Sequence, residues 1–347
     1  MDFSTTIGKL RLANPLMNAS GVYCRTKEDL EELAKDKWKN SAIITKTITY
    51  EPREGNPCPR IWTPESDSIS INSSGLPNLG YKAYIPILED ISKTTTKPII
   101  CSMSPFHISQ ETMVSYYVDY DFIDGFEFNF SCPNLYGSEK SQNFDSYKYY
   151  TTLRRLREKI GNEKHVGCKM SPYFRKSEVE ELADVMNDLN IDSVTCINSI
   201  PNGLYVDCDT FSSKIVPNEG HGGLGGSIVK ATALSNVHWF SKELKSSCSI
   251  IGCGGIATGR DLFEHILCGA KAGQIGTAFW KEKHSIFERV YHEFETMCKQ
   301  KNITSLDQIC GRLHNSVFEE HTEYTEQKTD IVSVYRERLE NSKVSLV

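Results

Sequence analysis

The sequence predicts an α/β fold, a (β/α)8 TIM barrel, on three observations. Eight apolar, strand-like runs lie along the chain, separated mostly by stretches of helical periodicity. Several of these runs are apolar throughout, as strands buried on both faces are. Polar residues close them, among them Ser20, Lys46, Cys132, Lys169, Asn198 and Gly254. In a barrel, the C-terminal strand ends ring one active-site face.

The elements follow in order. Residues 7–12 read as a short hairpin strand, and residues 15–21 as a buried strand ending in small residues. Residues 27–37 read as a helix, with Leu30 and Leu33 on one face, Thr26 as cap and acids in the first turn. Residues 42–47 make a second strand. Residues 50–80 are rich in Pro, Gly, Asn and Ser and read as a long irregular stretch. Such a stretch in a compact domain usually serves function. Residues 97–103 make a third strand and residues 125–132 a fourth. Pro133 has no N–H to give a sheet, so this strand stops near Cys132.

The alternation continues with a helix over 147–160, a strand over 165–170 and a helix over 177–189. In that last helix Val179, Leu182, Val185, Met186 and Leu189 share one face. A strand over 192–198 and a helix over 231–244 follow. The remaining units are a strand over 248–255, a helix over 259–268, a strand over 272–277 and a helix over 286–300. The segment beyond residue 314 is charged and mostly polar, with a short helix near 330–339 carrying Ile331, Val334, Tyr335 and Leu339. It reads as a surface helix on a loose end, or as an arm for a second subunit. The chain thus divides into a barrel, 1–313, and an extension, 314–347.

Length and composition bound the function. A chain of 347 residues can bury a substantial core. Its net charge of −6, without a dense basic cluster, gives no reason to expect nucleic acid. The N-terminus lacks a basic region followed by an apolar run, so no signal peptide is expected. No apolar run approaches the roughly 20 residues of a spanning helix, so no membrane is expected. Twelve cysteines occur without a Cys-x-x-Cys pair or Cys/His ligand spacing. That pattern predicts reduced thiols in a cytoplasmic protein and no metal.

The candidate chemistry begins at Cys132. A thiol at a loop mouth, held by a strand behind it, can exchange a proton with a bound small molecule; the alternative is a buried small apolar residue. Glycines cluster at 222–226, 252–255 and 276, where backbone N–H groups can approach an anion closely. Loops after barrel strands seven and eight commonly form a phosphate site. Gly254-Gly255 and Gly276-Thr277 fall there, which predicts a phosphate-bearing cofactor. No Gly-x-Gly-x-x-Gly opens a helix after the first strand, which argues against a Rossmann site. Lys46 and Lys169 end apolar strands, where an ammonium is costly to bury without an anion; the alternative is solvation. A flavin would use one, because its reduced ring carries negative charge near N1 and O2. Asn72, Asn129, Asn134 and Asn198 each offer a donor and an acceptor, and together suit a ligand with an imide or urea edge. Singly, each would be a turn former.

Several stretches carry a family resemblance: 14–21 (NPLMNASG), 45–47 (TKT), 53–60 (REGNPCPR), 71–80 (INSSGLPNLG) and 129–134 (NFSCPN). Further ones are 167–169 (GCK), 197–199 (INS), 222–226 (GGLGG), 252–256 (GCGGI) and 274–277 (QIGT). The chain resembles the class 1A, fumarate-linked dihydroorotate dehydrogenases. The resemblance implies a barrel with FMN at the C-terminal face of its strands. It implies oxidation of dihydroorotate to orotate in pyrimidine synthesis, with fumarate as acceptor, by a cytoplasmic homodimer. Class 1B enzymes share the cysteine but pair with an iron–sulfur, FAD-binding subunit; the run 75–80 resembles class 1A.

By position, Cys132 resembles the base that takes the C5 proton while the C6 hydride passes to flavin N5. Lys46, Asn72, Gly75, Leu76, Asn129, Asn134, Asn198 and Ser199 resemble the orotate pocket. Ala19, Ser20, Gly21, Lys46, Thr47, Asn129, Lys169, Gly226, Gly254, Gly255, Gly276 and Thr277 resemble the FMN contacts. The loop 135–143 resembles the family's mobile lid. Two features depart from the pattern. Ser74 stands where methionine is usual, and the extension has no counterpart. These leave two alternatives: a flavin enzyme acting on another dihydropyrimidine, or a non-catalytic barrel that binds a partner.

Overall fold

The computed structural model describes residues 1–64, 69–105, 109–131, 144–313 and 330–344. The eight barrel strands are β1 (Leu16–Asn18), β2 (Ile43–Ile44), β3 (Ile99–Met103), β4 (Gly125–Asn129), β5 (His165–Lys169), β6 (Ser193–Cys196), β7 (Ser249–Cys253) and β8 (Ala272–Ile275). All ladder pairs between them are parallel, in the order β1-β8-β7-β6-β5-β4-β3-β2. The predicted barrel is therefore present. Every residue of β3, β4, β5 and β7 is buried, which is why these strands read as largely apolar runs with few polar interruptions.

A side chain helps close the ring between β1 and β2. Asn18 Nδ2 donates to the Ile44 carbonyl at 2.8 Å, and its Oδ1 accepts from the Ile44 N–H at 3.0 Å. One amide, donor and acceptor together, thus supplies what a backbone rung would. The opposite, N-terminal end of the barrel is plugged by the hairpin Thr5–Ile7 and Leu10–Leu12. Its Ile7, Leu10 and Leu12 cluster with Met17, Ala42, Ile44, Ile100, Ile251 and Ala272. Lys9 and Arg157 both pair with Asp192 there, at 2.7 and 3.2 Å.

Helix ends follow local chemistry. Lys27–Ala34 starts on a reciprocal capping box, with Thr26 Oγ1 accepting from Asp29 N and Asp29 Oδ2 from Thr26 N. It stops three residues short of the expected end. Lys97 Nζ donates to the carbonyls of Leu33 and Lys35 at that end. Two helices without a clear sequence signature complete the outer ring. Tyr81–Ser92 carries Pro86 inside it, and Gln110–Tyr117 is short.

The stretch 50–80, expected to be irregular, contains two strands, Ile61–Trp62 and Ile69–Asn72. They join His221–Gly226 and Ile200–Leu204 in a four-stranded antiparallel sheet. The glycine run 222–226 is thus a strand, not an anion-binding turn. Its glycines are set by packing. A Cβ on Gly222 would lie 2.6 Å from the Asn72 carbonyl oxygen, and one on Gly223 2.2 Å from Ser199 Oγ. This small sheet contributes Ile61, Ser70, Asn72, Gly225 and Gly226 to a cleft at the barrel mouth.

The helix Ile331–Val344 packs on the chain's own barrel, against Ser146–Ile160 and Lys176–Asp188. The Tyr335 hydroxyl bonds Ser146 Oγ, and its ring meets Tyr147 and Tyr150 at 5.4 and 5.9 Å. Arg336 pairs with Asp188, and Arg338 lies 4.6 Å over the Tyr147 ring. Burial of Val332 and Tyr335 is worth about 2–4 kcal/mol after ordering losses. Truncation after residue 313 is therefore expected to lower Tm by several degrees while the barrel keeps its fold. An unchanged melting curve would show that the helix adds no stability.

Candidate active site

An open cleft of about 1260 Å³, solvent included, lies at the C-terminal ends of the strands. The sequence-predicted residues that fall on described positions all line it. Beyond β1 come Ala19, Ser20 and Gly21, and beyond β2 Lys46 and Thr47. Asn129 ends β4, Lys169 ends β5, and Asn198 and Ser199 follow β6. Gly254 and Gly255 follow β7, and Gly276 and Thr277 follow β8. Asn72, Gly75, Leu76 and Gly226 complete the wall from above. Cys132, Asn134 and the loop 135–143 lie outside the described residues, directly after Ser131.

The parallel register sets Asn129 beside Lys169. Asn129 is then oriented by its neighbours. Its Nδ2 donates to Thr47 Oγ1 at 3.1 Å, and its Oδ1 accepts from Ser131 N and Oγ at 3.2 and 3.0 Å. Asn198 Nδ2 donates to Ser131 Oγ at 2.6 Å and to Asn129 Oδ1 at 3.3 Å. From the capping sheet, Asn72 Nδ2 donates to the Gly223 carbonyl at 3.2 Å. These bonds fix which way each amide faces before any ligand arrives. Gly75 and Leu76 both have positive φ, 71° and 54°. For Leu76 that is a strained backbone at the cleft wall.

The glycine end is built for close approach. Gly255 has φ 77°, and a Cβ on it would fall 2.5 Å from Lys230 Cβ. Lys230 itself is engaged by Asp261 and Glu264 at 2.8 and 2.9 Å. His265 Nε2 lies 3.0 Å from the Gly254 carbonyl. Burial, the largest cause, holds the His265 pKa down at about 4, so the neutral ring presents its Nε2–H to that oxygen. Gly276 caps the helix Thr277–Glu282, where strand continuation was expected at Thr277. The first N–H groups of a helix have no intrahelical acceptor and suit a phosphate. Gly255→Ala is expected to cost about 1–3 kcal/mol of stability through its left-handed backbone, and to lower phosphate-ligand retention. A denaturant midpoint equal to that of the wild type would contradict this.

His165 resembles His265 in being buried and held at about pKa 4, chiefly by desolvation. Unfolded histidines bind a proton near pH 6.5, and these two do not until about pH 4. Their contribution is therefore intact above pH 6.5 and is lost as pH falls toward 4. Urea midpoints are expected to drop across that window. Replacing His265 by Gln is expected to flatten part of the drop.

Two ammonium groups enter the cleft. Lys46 is 8% exposed and reaches the Gly21 carbonyl at 3.4 Å. Lys169 is 3% exposed and donates to Gln274 Oε1 at 2.7 Å. Gln274 Nε2 donates in turn to Glu127 Oε2 at 2.6 Å, which also accepts from Thr195 Oγ1 at 3.0 Å. Sequence reasoning did not single out Gln274 and Glu127. Their local signal was a polar residue inside an apolar run, and Gln274 also opens the stretch 274–277. Ser74, expected beside the ligand, lines the cleft, and Ser70 and Trp280 line it without having been singled out. Fixed cations, amides and a glycine cradle in one cleft suit a planar, anion-bearing ligand whose negative charge grows during reaction.

Residues 2–298 match the family model described as dihydroorotate dehydrogenase. The chain belongs to the dihydroorotate dehydrogenase family. Dihydroorotate dehydrogenase A (fumarate) of Lactococcus lactis subsp. cremoris (strain MG1363) is 41% identical over 314 residues, 89% of this chain and 98% of that protein. Dihydroorotate dehydrogenase (fumarate) of Lachancea kluyveri is 40% identical over 306 residues, 87% of this chain and 95% of that one. The crystal structure of DHODH from Eimeria tenella in complex with ferulenol superposes with a TM-score of 0.74 at 21% identity. It covers 89% of this chain and 88% of that one, and agrees with the barrel fold. Dihydroorotate dehydrogenases are flavoenzymes, and the residues present fit a flavin: the two buried lysines suit a ring that gains negative charge, and the glycine cradle suits an anionic tail. No described helix is long and apolar enough to cross a membrane.

Proposed function

We propose that this chain is a class 1A dihydroorotate dehydrogenase that binds FMN in the mouth cleft, oxidises dihydroorotate to orotate in pyrimidine biosynthesis and passes the electrons to fumarate. One observation carries the reading: the residues placed by resemblance, wherever described, converge on one cleft. Bound FMN supplies a hydride acceptor. The chain's own residues do the rest. Gly254, Gly255, Gly276 and Thr277 hold the phosphate through backbone N–H groups. Lys46 and Lys169 balance negative charge at the ring. Asn72, Asn129, Asn134 and Asn198 orient the pyrimidine through its polar edges, with Gly75, Leu76 and Ser199 shaping the pocket. Cys132 takes the C5 proton. Fumarate, a small planar dianion, then collects the electrons from the same pocket, giving ping-pong kinetics.

The purified protein is expected to be yellow, and acid-released flavin to be FMN. A colourless protein that does not take up added FMN would overturn the reading. The buried, unpaired thiols support a cytoplasmic setting. Exposed Leu204, Val206, Phe211 and Val216 support pairing of two copies, which sedimentation reads directly. A second reading rests on Ser74, which lines the cleft beside Gly75. A smaller, polar side chain there admits another dihydropyrimidine, and turnover of dihydrouracil but not dihydroorotate would select it.

A further inference from the structure

Glu127 lies in the middle of β4, 3% exposed, among the barrel's inward-facing groups. Its Oε2 accepts from Gln274 and Thr195, while its Oε1 is buried without a hydrogen-bond partner. A carboxylate so placed is costly to desolvate, and an unpartnered oxygen adds to that cost. Packing alone does not explain it, since a glutamine would fill the same space with no charge. The cation to which it connects is Lys169. Because a carboxylate only accepts, the Gln274 NH2 must face Glu127. That turns the Gln274 carbonyl oxygen onto Lys169 Nζ. Thr47, Asn129 and Asn198, near the same strand ends, carry no charge, and Lys46 is the other cation lining the cleft among the described residues.

We propose that Glu127 is a positioning and charge-balancing residue: through Gln274 it holds Lys169 at the cleft and offsets its charge, setting the reduction potential of the bound flavin. The inference rests on the reading that Lys169 faces a flavin ring. A buried ammonium beside the ring favours the reduced, anionic form. A buried carboxylate one amide behind it opposes that preference. The balance suits a flavin that must accept a hydride from one substrate and release electrons to another. Too positive a potential would leave it reduced.

The test is the midpoint potential of the bound flavin, measured by equilibration with a reference dye in the wild type, Glu127→Gln, Glu127→Asp and Lys169→Met. Glu127→Gln keeps an oxygen to accept from Gln274 and loses only the charge. It is expected to shift the reduced-to-oxidised equilibrium at least about tenfold toward reduced flavin, which is about +30 mV for a two-electron couple. Glu127→Asp retains the charge and is expected to stay within about threefold of the wild type, about 15 mV by the same conversion. Lys169→Met is expected to shift the opposite way. Thermal melts of the same variants check that each is folded at the temperature of the titration. An unmoved or more negative potential in Glu127→Gln, or equal shifts in the Gln and Asp variants, would overturn the inference and leave the proposed function standing. A flavin-bearing protein whose potential ignores Lys169→Met would remove the placement of the ring, and the inference with it.

Discussion

Cys132→Ala is expected to lower turnover of dihydroorotate by at least about a hundredfold, the low end of what a positioned general base contributes, while leaving the flavin bound. Several buried thiols are held protonated by desolvation: Cys24 is pushed up to about 12, and Cys101, Cys168 and Cys196 are raised as well; Cys253 also lines the cleft, at the end of β7. The described exposed ones, Cys58 and Cys208, are absent from the cleft wall. Cys132 follows Ser131, whose N–H and hydroxyl are both tied to Asn129 at the mouth. A free thiol titrates near pH 8.5 and yields more thiolate beside donors. Cys132→Ser, with a far weaker acid, is expected to retain a small fraction of activity that grows with pH. Turnover of Cys132→Ala equal to that of the wild type would remove the base assignment.

Lys169→Met is expected to slow flavin reduction by dihydroorotate by at least about a hundredfold, the loss seen when one donor to a developing anion is removed from a dry site. The effect should appear in the reduction step rather than in substrate affinity, because the ammonium answers charge that develops only as the hydride leaves. Rapid mixing under anaerobic conditions separates the two. A raised substrate requirement with an unchanged limiting rate would place Lys169 at the substrate instead. Lys46 contacts the Gly21 carbonyl whereas Lys169 is held by Gln274, so the two ammonium groups are fixed by different partners and the first is not expected to replace the second.

The barrel was legible because parallel strands buried on both faces leave mostly apolar runs, as Ile99–Met103 and Ser249–Cys253 do. The cleft was legible because its polar residues stand at the ends of those runs. The capping sheet was not. Ile69–Asn72 finds its partner in Gly223–Gly226, some 150 positions away; it does alternate, but over only four residues inside a stretch rich in Pro, Gly, Asn and Ser, and its glycine partner carries no pattern that announces a strand. The glycine-rich strand looked like a turn because its glycines answer close packing, which no local pattern encodes. Helix Tyr81–Ser92 was hidden by Pro86, and the helix opening at Thr277 by the apolar strand running straight into it. Glu127 and Gln274 read as strand interior. Only their mutual geometry links them to Lys169.

The central claim is that one cleft takes electrons from dihydroorotate and yields them to fumarate. Anaerobic titration of the purified protein tests it most directly. Stoichiometric dihydroorotate is expected to bleach the visible flavin band with release of orotate. Fumarate added next, but neither NAD nor a quinone, is expected to restore the band at a rate that supports turnover. A flavin that dihydroorotate leaves oxidised, or one that fumarate leaves reduced, would contradict the account.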